Sequence, residues 1–168
     1  MRRFLLLMLA VIMITLTSHS VLAQSKATPG FERLKSLVGE WQGKGPDGQQ
    51  VNVSYQVISA GSVLVETLQS GTEPNMVTLY HLDGDKIMVT HYCSIGNQPR
   101  MVADAPAGEI KNLNFKFVDV TNLAKPSAGH MRNLAVTFED KDHIKQVWTW
   151  REDGKDQLTT FNLERKKS

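Results

Sequence analysis

The chain has 168 residues, 41% of them hydrophobic and 21% charged, with 19 Lys and Arg against 17 Asp and Glu. That length holds one domain, and the charged share is that of a folded globular protein rather than a disordered one. A single cysteine excludes an intramolecular disulfide framework. Charge this balanced, with no dense basic stripe and no aromatic-basic interleaving, excludes a nucleic-acid surface.

Residues 1–23 read as a secretory signal peptide. Arg2 and Arg3 form the positive start, and Phe4 to Ile14 is an unbroken apolar run. Thr15, Thr17, Ser18 and Ser20 then raise the polarity, and Val21-Leu22-Ala23 fits the cleavage pattern ahead of Gln24. The apolar run is far shorter than the roughly 20 residues a membrane-spanning helix needs. The expectation is therefore an exported protein, periplasmic or secreted, with no membrane span after cleavage. Cleavage removes two arginines and no acid, so the mature chain carries 17 basic and 17 acidic side chains. Arg165-Lys166-Lys167 is the one basic cluster and reads as a solvated tail.

Residues 24–30 form a polar linker, and residues 31–168 a single domain. Phe31, Leu34, Leu37 and Val38 recur at helical spacing, so a short helix is expected from Phe31 to Val38, stopped by Gly39. From Trp41 onward the period changes to two. Val51, Val53, Tyr55 and Val57 alternate with Asn52, Ser54 and Gln56. Further strands are expected over Ser62–Gln69, Asn75–Leu82, Lys86–Cys93 and Gln98–Ala103. Others run through Leu113, Phe115 and Phe117, through Leu134, Val136 and Phe138, through Ile144, Gln146, Trp148 and Trp150, and over Leu158–Arg165. Asp83-Gly84 marks a hairpin. Asp119 to His130 is the longest irregular link, read as either a lid or a plain loop.

Nine or ten strands joined by short turns favour antiparallel up-and-down pairing. Closure into a barrel removes the exposed edges, so the expected fold is all-β: an up-and-down antiparallel barrel preceded by one short helix. A sandwich is the competing architecture.

Gly39-Glu40-Trp41 after a short helix resembles the Gly-x-Trp signature of lipocalins and the wider calycin superfamily. The resemblance implies that Trp41 plugs one end of the barrel and that a basic residue of the last strand, matched by Arg165, packs across its ring. Leu37-Val38-Gly39-Glu40-Trp41-Gln42-Gly43 is similar to the opening of nitrobindin-like domains. The resemblance implies a barrel that holds a small apolar or amphipathic molecule, and it does not imply an enzyme. In a nitrobindin-like barrel, one histidine on a late strand would hold haem. His130 and His143 are the nearest candidates.

The remaining chemistry is read from spacing. His81 and His91 lie on opposite arms of the hairpin, about 13–20 Å apart along the strands, too far to share a metal. His91 and Cys93 share a face, but they are two ligands without a third. No complete metal site and no catalytic constellation is expected. Glu66, between Leu64 and Leu68, is expected to point inward and to need a partner, with Arg132 and Lys116 as candidates. His91 and Arg100 are expected at the barrel mouth, Arg100 to hold a carboxylate by two hydrogen bonds. Val53, Tyr55, Leu79, Val89, Phe115, Phe117, Val136 and Trp148 are expected to line the bore. The ligand-binding set is thus His91, Arg100, Tyr55, Phe115 and Trp148. The competing functions are a haem barrel, a cavity lyase or isomerase with His91 as base, and a packed barrel that works through its surface.

Overall fold

Alternation of apolar and polar residues puts successive side chains on opposite faces of a strand. Between Gly39 and Arg165 this pattern builds ten strands. The computed structural model describes residues 28–104 and 108–167, so the expected signal peptide lies outside the described residues. The strands are β1 (Gly39–Lys44), β2 (Gln50–Ile58), β3 (Val63–Ser70), β4 (Met76–Asp83), β5 (Lys86–Tyr92), β6 (Gln98–Asp104), β7 (Asn112–Thr121), β8 (His130–Phe138), β9 (His143–Glu152) and β10 (Lys155–Arg165). Each pairs with its sequence neighbours, and β1 also pairs with β10, so the sheet closes into an antiparallel barrel. Up-and-down order needs only short connections. Gly84, at φ +61°, occupies the first of the two loop positions between the paired residues Asp83 and Lys86.

The helix α1 (Pro29–Lys35) starts earlier and ends earlier than the periodicity predicts. Pro29 sits at its start, where a missing N–H costs nothing, and the Thr28 hydroxyl accepts from the Phe31 amide. Phe31 and Leu34 are buried against the barrel. The chain then turns at Gly39, whose φ of +127° is a conformation that side chains resist, and enters β1.

Trp41 is fully buried next to this turn. Its Nε1 donates to the Leu37 carbonyl at 2.8 Å, and the Arg165 guanidinium lies 4.3 Å from the ring centroid. Arg165 also donates to the carbonyls of Val38 and Ser36, at 2.8 and 2.9 Å. The helix, the first strand and the last strand are thereby tied at one end of the barrel. A Cβ on Gly39 would approach Arg165 Nη1 to 3.1 Å, a second reason for glycine there.

The bore is filled by inward side chains. Val53, Tyr55, Val89, Phe115, Val136 and Trp148 are each at most 3% exposed. Leu79 departs from the expectation: it is half-buried on the outer face, while Thr78 and Tyr80 face inward. Phe117 is inward but only half-buried, because β7 and β8 part beside it. The irregular link is shorter than predicted, 122–129, since β7 runs on to Thr121.

Candidate functional site

The end opposite α1 is where β5, β7 and β9 finish and β6 and β8 begin. Inward positions there bring together His91 (β5), Trp148 (β9), Phe117 (β7) and His130 (β8). The His91 and Trp148 rings are 4.7 Å apart, centroid to centroid, and those of Phe117 and His130 are 5.2 Å apart. His91 Nδ1 is 2.9 Å from the Thr78 hydroxyl. His130 Nδ1 donates to the Ala128 carbonyl at 2.9 Å. Asn97 reaches across this end and donates through Nδ2 to the Gly129 carbonyl at 2.9 Å, tying the β5–β6 turn to the β7–β8 link. Gly129 is required for close approach: a Cβ there would fall 1.9 Å from Trp150 Cζ2.

Among the described residues, three buried polar atoms of this cluster have no hydrogen-bond partner: His91 Nε2, Asn97 Oδ1 and His130 Nε2. Each such atom costs about 1–3 kcal/mol unless something polar meets it. Burial lowers the His91 pKa to about 4, so its imidazole is neutral at pH 7. That value lies far below neutral pH and makes His91 a weak general base.

A second polar group lies deeper. Glu66 is fully buried and accepts through Oε2 from the Tyr80 hydroxyl at 2.8 Å and from Gln146 Nε2 at 2.9 Å. Gln146 Nε2 also donates to the Tyr55 hydroxyl, and its Oε1 accepts from Trp148 Nε1 at 3.1 Å. Burial pushes the Glu66 pKa up, against the opposing pull of hydrogen bonds from Tyr80, Tyr55 and Gln146. Burial and the neighbouring carboxylate raise Tyr55 and Tyr80 well above the usual phenol range. The partners of Glu66 are thus phenols and an amide, not the expected cations. Lys116 is exposed on the outer face, and the Arg132 guanidinium lies 4.8 Å from the Phe117 centroid.

Of the ligand-binding residues expected from sequence, His91, Tyr55, Phe115 and Trp148 all face the interior. Arg100 does not join them. It is exposed on the outer face of β6 and paired with Asp119 through two hydrogen bonds. Arg100 pairs with Thr90, the residue before His91, and both face outward.

His91 pairs with Thr78, so His81 is three residues, about 10 Å, along β4 from it and on the outer face. The register is one residue tighter than expected, and the two still cannot share a metal. Among the described residues no group of three or more His, Cys, Asp or Glu side chains is placed to hold a metal ion.

The residues present do not fit haem. His143 is the exposed first residue of β9, and its Nδ1 is bonded to Asp140. His130 turns an unpartnered Nε2 inward, but the Phe117 ring packs against it and the bore beyond is filled. Among the described residues no helix is long and apolar enough to cross a membrane.

No protein-family model matches the chain, and no curated protein matches it. Solved structures do. One is Rv2717c from M. tuberculosis, 16% identical, with a TM-score of 0.56, covering 83% of this chain and 98% of that one. Another is a protein of unknown function from the DUF3598 family of Nostoc punctiforme PCC 73102, also 16% identical, with a TM-score of 0.53 over 79% of this chain. This chain spans about half of that protein, 49% of its length. At this identity the likeness is one of fold: a lipocalin-like antiparallel barrel.

Proposed function

We propose that this chain is an exported carrier of the calycin type, periplasmic or secreted, that binds a small amphipathic ligand at the barrel end opposite α1. The observation that carries this reading is the group of unpartnered buried atoms, His91 Nε2, Asn97 Oδ1 and His130 Nε2, set beside the Trp148 and Phe117 rings. Apolar walls with a few convergent polar atoms are what small-molecule sites are made of. The filled midsection supports a ligand position at this end rather than deep in the bore.

Tryptophan fluorescence tests the reading. Trp148 and Trp150 lie at the ligand end and Trp41 at the other. Titration with short-chain amphiphiles should give a saturable emission change that persists in Trp41→Phe and is lost in Trp148→Phe. A change carried by Trp41, or none with any amphiphile, counts against it.

A further inference from the structure

The barrel wall is split between β7 and β8. Their ladder ends at the pair Lys116 and Asn133, yet β7 continues to Thr121 and β8 begins at His130. Both strands carry an irregularity just there. Met101 pairs with Phe117 and Arg100 with Asp119, leaving Val118 extra on β7. Met131 and Asn133 pair with Trp150 and Thr149, leaving Arg132 extra on β8. An extra residue bends its strand, increases the twist and re-aims a side chain. At the split a cleft of about 460 Å³ opens outward, with Phe117, Ala135 and Val147 as apolar lining and Lys116 and Arg132 as cations. That volume is within the range of small-molecule sites.

No carboxylate lines the cleft. Neither Lys116 nor Arg132 is in an ion pair among the described residues. The acids that feel them from a distance are already engaged: Asp104 with Lys86, and Asp156 with Arg151. The Arg132 guanidinium carbon lies 4.8 Å from the centroid of the Phe117 ring, which also packs on His130. A guanidinium presents a planar donor fork, which matches a carboxylate at two points.

We propose that this cleft takes the acid group of a carboxylate amphiphile. Arg132 and Lys116 bind the carboxylate, and the chain lies against Phe117 and Val147. None of His91, Asn97 and His130 lines this cleft, so the proposal goes beyond the reading above and adds a second site, for anionic amphiphiles, on the outer wall beside Phe117.

The test is calorimetric titration of the protein purified from its own host with decanoate, decanol and decyltrimethylammonium. Decanoate should bind most tightly. Arg132→Gln should weaken decanoate about tenfold and leave decanol unchanged, as expected for loss of a charge-assisted bond. Lys116→Gln, an exposed change outside the core, should weaken it less, and Arg132→Lys should recover part of the loss. Equal binding of decanoate and decanol, with Arg132→Gln affecting neither, overturns the anion assignment and leaves the carrier reading standing. Failure of all three at millimolar concentration overturns both. Near-UV circular dichroism matching that of the unaltered protein rules out misfolding as the cause.

Discussion

Acidification should destabilise this barrel through one histidine. The His91 ring is buried against Trp148, and its pKa falls from 6.5 to about 4 because burial penalises the imidazolium. In the unfolded chain the same ring titrates near 6.5. Below that pH the unfolded state therefore takes up a proton that the folded state refuses. Stability is fully present above pH 6.5 and is lost as the pH falls to about 4. The gap of about 2.5 units, at 1.36 kcal/mol per unit, makes a loss of about 3 kcal/mol. Urea unfolding from pH 4 to 8 measures it, on the unaltered protein and on His91→Gln. The variant loses the stack on Trp148, which shifts its stability at every pH alike. The informative quantity is the difference in slope between pH 6.5 and 4. Exposed carboxylates such as Asp119 and Asp140, held low by Arg100 and by the 142–143 turn, add acid lability of the same sign to both proteins and cancel in the comparison. Equal slopes refute the reasoning, as does an NMR midpoint for His91 at or above 6.5. His143, raised by its bond to Asp140, should titrate above that value in the same spectra.

Glu66 should act with the opposite sign. Its pKa is raised in the folded state, so stability falls as pH rises from 4.5 through that raised value; Glu66→Gln should abolish this decline in the same urea series. Arg165→Met should cost about 2–3 kcal/mol in chemical denaturation, since it removes the cation over Trp41 and leaves two carbonyls beside α1 without their charged donor. Gly129→Ala should cost about 1–3 kcal/mol, because the Trp150 ring must move to admit the methyl group. Arg100→Ala should change stability by less than about 1 kcal/mol, as exposed ion pairs do, and should leave ligand affinity unchanged.

Period-two alternation is a local property, and it carried the strand order, the closure and the inward facing of Tyr55, Glu66, Phe115 and Trp148. It failed where both phases of a strand are apolar. In β4, Val77 and Leu79 compete with Thr78 and Tyr80, and the polar pair goes inside because His91 and Glu66 supply it with hydrogen bonds. Those partners lie on β5 and β3, so the choice is not legible within β4. Arg100 was misplaced by a related effect. It follows His91 closely through a turn, but it enters β6 one residue out of phase with the interior.

The polar cluster at the end opposite α1 is set by contacts across the barrel, His91 to Trp148 and Asn97 to Gly129, which only closure of ten strands creates. Gln146 carried one readable signal: a lone amide between Ile144 and Trp148 on the inward face of β9. The split at β7–β8 comes from two bulges, and pattern reading passes over a single extra residue.

The most direct measurement is native mass spectrometry of the protein purified from its own host, before and after denaturation. A bound mass of a few hundred daltons that is lost on denaturation and displaced by decanoate is the expected result. A clean apo mass, with no decanoate adduct at millimolar concentration, contradicts a carrier role for this barrel.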